Sequence, residues 1–167
     1  MRLPSLQQIW QETRRTTGRF PLVILNAAVG VLAAIVLIEQ ESLHTSPFVS
    51  ILYAALLGIP LLTGTSLLLE KRNAGTGAKV GGHLLALALL IAYGCSAPTV
   101  MDGPALHVVR LLLLGVAMHL FVAVAPFTGS GEMNGFWQYN KTLLYRIITA
   151  VFYSGVLFVG FAVALAA

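Results

Sequence analysis

Charge is what this sequence has least of. Only 10% of its 167 residues are Asp, Glu, Lys or Arg, while 57% are apolar and the mean hydropathy is +0.86. A soluble domain carries roughly 25% charged and roughly 45–50% apolar residues. So little charge cannot solvate a globule of this size, which argues against a soluble enzyme and against a disordered tail. Cysteine is nearly absent too. The one thiol, Cys95, lies within an apolar run and cannot form an internal disulfide, so the chain is no secreted disulfide scaffold and carries no redox motif.

What the chain does have is long apolar runs. Windows of about 19 residues, the length that crosses a hydrocarbon core about 30 Å thick, pick out five stretches: Pro21–Ile38, Phe48–Leu69, His83–Val100, Leu106–Pro126 and Leu143–Ala167. Arg110 and Arg146 are the only formally charged residues inside them. Lipid offers the backbone no hydrogen-bond partner, so each stretch is predicted to be a helix. The expected fold class is an all-α polytopic membrane protein. Residues 21–167 form a single transmembrane module, preceded by a cytoplasmic or interfacial segment over residues 1–20.

The balance of charge is positive, with 10 basic against 6 acidic residues and a pI near 9.6. Such a balance can mark a nucleic-acid binder. Here the basic residues flank apolar runs instead, which points to membrane topology and not to nucleic acid. Arg2, Arg14, Arg15 and Arg19 precede the first run. Lys71, Arg72 and Lys79 separate the second from the third, and Lys141 and Arg146 stand at the start of the fifth. The remaining two connections, Glu39–Pro47 and Met101–Ala105, hold no Lys or Arg. The positive-inside rule therefore predicts a cytoplasmic N-terminus and an outward C-terminal end, with Arg110 the single exception. The first run is too long for a signal-peptide core and is followed by Glu-Gln-Glu instead of a cleavage site, so an uncleaved anchor is expected.

Before that anchor, Leu3, Leu6, Ile9, Trp10 and Thr13 recur at helical spacing, with Gln, Glu and Arg between them. That pattern predicts an amphipathic helix in the headgroup layer, with Trp10 at the interface. Glycines crowd Glu70–Gly82, and Gly-Thr-Gly-Ala-Lys superficially resembles a phosphate loop. Ala78 and Val80 flank Lys79 where that motif needs Gly and Ser or Thr, so a flexible cytoplasmic linker is expected.

Candidate chemistry is sparse. An ionisable group within a span costs about 2.5–3.5 kcal/mol on insertion scales and is a functional candidate for that reason. Arg110 is expected near the outer end of its helix, snorkelling to the surface and pairing with Asp102, Glu39 or Glu41. His119 follows nine positions later, on the opposite face at about 3.6 residues per turn, so the two cannot form one relay. The four histidines, His44, His83, His107 and His119, lack a pair at matched depth on facing helices, so no haem is expected. No acidic residue within the spans accompanies them, and neither a metal site nor a catalytic residue is assigned.

Packing signals are stronger. Asn26, Gly30 and Ala34 recur every fourth residue, a small-residue stripe with an amide that can bond across a helix contact. Gly58, Pro60 and Gly64 predict a kink in the second span, next to the hydroxyls of Thr63, Thr65 and Ser66. A transporter-like reading would make those hydroxyls, with Arg110, a substrate site; it lacks the internal repeat that transporter folds carry. At the entry to the fifth span, Phe136, Trp137, Tyr139, Lys141 and Arg146 fit an interfacial belt of aromatic and basic anchors.

The stretch Asn134-Gly135-Phe136-Trp137-Gln138-Tyr139-Asn140-Lys141, followed by Arg146 and by Tyr153-Ser154-Gly155, resembles a bacterial family of polytopic inner-membrane proteins known only as a domain of unknown function. The leader Leu3–Pro21 is similar as well, whereas the middle of the chain matches only in hydropathy. The family has no assigned activity, cofactor or catalytic residue to carry over. Its members are longer, with further membrane helices, so the resemblance implies an N-terminal fragment or a shortened relative. The expected role is thus the membrane module of a larger protein or assembly in the bacterial inner membrane. Its expected partners are lipid and either a second copy or the remaining helices of a longer chain. A permease-like module and a b-type cytochrome subunit are the alternatives.

Overall fold

The computed structural model describes residues 6–39, 47–96, 104–129 and 131–166, and these are helical with no strand among them. The helices are α1 (Leu6–Arg19), α2 (Pro21–Glu39), α3 (Pro47–Lys71), α4 (Thr76–Ser96), α5 (Pro104–Val124) with a 3₁₀ turn at Ala125–Phe127, and α6 (Met133–Ala166). Five of them, α2 to α6, are long and apolar enough to cross a membrane. The chain divides into two compact units, Met1–Pro126 and Phe127–Ala167.

In the first unit α3 is the hub, packed by α2, α4 and α5. Apolar burial does not drive such packing in lipid, because tails are as apolar as leucine; close van der Waals contact and interhelical hydrogen bonds do. The glycines show how closely the helices approach. A Cβ on Gly30 of α2 would lie 2.9 Å from the Ala55 Cβ of α3, and one on Gly64 of α3 would lie 2.5 Å from the Phe121 ring of α5. One on Gly82 of α4 would meet the Leu69 side chain of α3 at 2.8 Å. Leu62 is fully buried at the centre, in a cluster with Leu57, Ala86 and Leu90.

The α3–α4 connection departs from the expected linker. Helix α3 runs on to Lys71 and α4 already begins at Thr76, so only Arg72–Gly75 joins them. Asn73 takes a left-handed conformation (φ 48°), Ala74 N–H donates to Leu69 O, and Asn73 N–H donates to Glu70 O. This is the Schellman arrangement, which satisfies the last carbonyls of α3 and turns the chain at once. Gly77, Gly81 and Gly82 fall inside α4 instead of in a loop. The close approach at Gly82 outweighs the low helix propensity that suggested the linker.

Helix α3 continues through Pro60, whose ring replaces one backbone donor. Thr63, Thr65 and Ser66 each donate their hydroxyl to the carbonyl four residues back.

In the second unit α6 begins ten residues before the expected start of the fifth span. At about 1.5 Å per residue its 34 residues reach about 51 Å, more than a hydrocarbon core of about 30 Å requires. Its first turns carry an aromatic cluster. Phe127 meets Phe136 edge-on at 5.6 Å and Tyr139 at 5.4 Å, and Phe136 meets Trp137 at 5.7 Å. From Leu144 to Leu165 every residue is exposed.

Candidate functional site

Within the first unit α2 and α4 both lie on α3 and leave a groove between them. Its long part, about 580 Å³, is lined by Leu22, Leu25, Asn26 and Val29 of α2, Pro47, Ser50, Ile51 and Ala54 of α3, and Leu87, Leu90, Ile91, Gly94 and Cys95 of α4. The walls are apolar because each helix gives one face at helical spacing. On α2 that face is Leu22, Leu25/Asn26 and Val29; on α4 it is Leu87, Leu90/Ile91 and Gly94/Cys95.

The same groove has a polar end. A second cavity of about 480 Å³ shares Leu22 and Leu87 with the first and adds Gly18, Arg19, Ser66, Lys79 and His83. Lys79 and His83 continue the α4 face by one turn each, so a single stripe changes from cation to imidazole to hydrocarbon along the helix.

The polar groups of this end are held by identifiable bonds. Arg19 donates through Nε (3.2 Å) and Nη2 (2.7 Å) to Glu70 Oε2, tying the end of α1 to the end of α3, and its guanidinium stacks over Phe20 at 5.1 Å. His83 Nδ1 lies 2.7 Å from Lys79 O, and Nε2 lies 3.0 Å from Ser66 Oγ. A carbonyl only accepts, so Nδ1 carries the proton of that contact. Ser66 Oγ also reaches Leu62 O at 2.8 Å and has one proton for two neighbours. Lys79 makes no ion pair among the described residues.

The residues singled out from sequence are distributed as follows. Asn26 Nδ2 donates to Ala55 O at 2.7 Å, and Gly30 is buried against the same residue of α3, with Ala34 half-buried. Thr63 and Thr65 bond their own helix, and Ser66 lines the second cavity, where its neighbour is His83. Arg110 is exposed on α5 and lines neither part of the groove. It stands six residues beyond Pro104, about 9 Å from the helix start, deeper than one turn. Asp102, Glu41, His44 and Leu3 lie outside the described residues. His119 Nδ1 contacts its own helix at Gly115 O, 2.8 Å away. Trp10 is exposed on α1, which is strongly amphipathic. Phe136, Trp137, Tyr139, Lys141 and Arg146 all fall on α6.

Sequence reasoning missed the Arg19–Lys79–His83 end of the groove. It took Lys79 and Arg19 as topology markers and His83 as an unmatched histidine. The Lys79, His83, Leu87 spacing was the available signal; the linker expectation hid it by starting the helix at His83.

No protein-family model, curated protein or solved structure matches the chain.

Proposed function

We propose that this chain is a multi-pass module of the bacterial inner membrane, N-terminus inside, serving as the membrane part of a larger assembly. One observation carries the reading. Thr142, Arg146, Thr149 and Tyr153 fall on one face of α6 at helical spacing and line a shallow depression of their own. Lipid does not solvate such a stripe, and polar groups at membrane depth face protein or water. The opposite face carries Leu144, Val151 and Phe158, all exposed and all suited to lipid. A partner helix against the stripe is the arrangement that suits both faces. Phe136, Trp137, Tyr139 and Lys141 serve as anchors at the entry of the helix. The resemblance to the bacterial membrane family of unknown function agrees with this role and assigns no activity.

Photo-crosslinking in native membranes tests the assembly. A crosslinker at Thr149 or Tyr153 should give a discrete protein adduct, either with a second copy or with another chain. The same group at Val151 or Phe158 should give lipid adducts only. Lipid adducts from all four positions would sink the proposal.

A further inference from the structure

The groove between α2, α3 and α4 has an apolar trough and a cationic end, and these meet at Leu22 and Leu87. We infer that it binds one anionic phospholipid, with the phosphate at Lys79 and an acyl chain in the trough. This rests on the membrane reading above and adds a ligand to it.

Length is the first argument. On α4 the groove runs from Lys79 to Cys95, and sixteen residues at about 1.5 Å each span about 24 Å. One leaflet is half of a core about 30 Å thick. The apolar trough takes the last eight of these residues, Leu87 to Cys95, about 12 Å, which is within the depth of one leaflet.

Charge is the second. The cationic end contains Lys79, whose ammonium has no ion pair among the described residues, and Arg19, which Glu70 neutralises. His83 lies beneath them, bonded to Lys79 O and Ser66 Oγ. The sum is one uncompensated positive charge, on Lys79. A phosphodiester monoanion matches that sum. A zwitterionic headgroup brings a second cation to the same place and fits worse.

Position is the third. The cationic end lies where α1 meets α2 and where α4 begins. Basic residues concentrate on this side of the chain, the side assigned to the cytoplasmic leaflet, where anionic lipid is attracted by about 1 kcal/mol per Lys or Arg. Asn26 and Ser50 supply polar atoms along the trough, but no further charge.

Native mass spectrometry of the full chain in detergent tests the inference. The probes are phosphatidylglycerol, phosphatidylcholine with the same acyl chains, and glycerol phosphate without chains. Wild type should retain one phosphatidylglycerol about tenfold more tightly than phosphatidylcholine, and should not retain glycerol phosphate. Lys79→Glu, at an exposed position, should abolish the headgroup preference, and Lys79→Gln should weaken it. Gly94→Leu fills the trough, since a Cβ there is in ordinary contact at 3.7 Å from Ala54 Cβ, and should lower retention of both lipids. Equal retention of the two lipids by wild type would overturn the inference. So would a preference unchanged in Lys79→Glu, or binding of glycerol phosphate as tight as that of the lipid, which would mark a free-phosphate site. Carbonate extraction of membranes separates the two readings. A chain that stays in the membrane but shows no headgroup preference loses only this inference, whereas a chain that washes off loses both.

Discussion

Asn26 of α2 lies against Gly58 of α3. A Cβ on Gly58 would come within 2.5 Å of the Asn26 amide oxygen, while the amide nitrogen donates to Ala55 O at 2.7 Å. The absence of a side chain at Gly58 is thus what admits the hydrogen bond that ties the two helices.

Gly58→Ala should cost about 1–3 kcal/mol, as inserted methyls do in close-packed sites. Asn26→Ala should cost about 0.6–1.7 kcal/mol, the range of interhelical bonds in membranes. The double variant should be more stable than the sum of the two costs implies, because Gly58→Ala already displaces the amide. Steric-trap or detergent-unfolding measurements on all three variants would show the coupling. Strict additivity would mean that Asn26 and Gly58 do not meet.

Gly64 and Phe121 make the same kind of pair between α3 and α5. A Cβ on Gly64 would lie 2.5 Å from the ring. Gly64→Ala should destabilise by about 1–3 kcal/mol. Adding Phe121→Leu should recover part of the loss, and unfolding curves in one detergent would show whether it does.

Leu62 and Leu144 give a contrast between a packed and an exposed leucine. Leu62 is 0% exposed and Leu144, on the face of α6 away from the polar stripe, is 59% exposed. Leu62→Ala should cost about 2–5 kcal/mol through the cavity it leaves. Leu144→Ala leaves no enclosed cavity and should cost less than about 1 kcal/mol. A loss at Leu144 as large as that at Leu62 would mean that a tightly packed partner covers that face of α6.

The Arg19–Glu70 bridge should add little stability. Both side chains are 53% exposed, and exposed pairs contribute about 0–1 kcal/mol. Arg19→Ala should shift the unfolding midpoint only slightly, and less in high salt than in low. A shift independent of salt would assign its effect to the stacking on Phe20.

Cys95 offers a direct check of orientation. It is the sole cysteine and is exposed near the end of α4. In intact cells an impermeant maleimide should label it from outside. In Cys95→Ser, a cysteine introduced at Gly75 should be labelled only after the membrane is opened. The reverse pattern would invert the topology.

The two ends of α4 show the limits of sequence reading. Three of the five long helices, α2, α3 and α5, begin and end within a few residues of their apolar runs, because hydropathy acts residue by residue and needs no partner. Glycine ambiguity misplaced the start of α4. Gly77, Gly81 and Gly82 read as loop until Leu69 is seen packed where a Cβ of Gly82 would stand. The start of α6 was missed for a related reason: Phe136 to Lys141 are too polar and aromatic for a hydropathy window, yet they continue the helix.

The sequence by itself determined that the chain is helical and how many of its helices are long and apolar enough to cross a membrane. Its charge distribution supplied the proposed orientation. Only tertiary structure decided that α3 is the hub, that Asn26 bonds Ala55, and that Ser66 and Arg19 share a cavity with His83 and Lys79. The physical reason lies in what each pattern encodes. Apolar run length is a property of one segment and its solvent. Contacts between helices depend on which small residue faces which large one, and in a chain where most faces are apolar the periodicity does not tell the packed side from the exposed side.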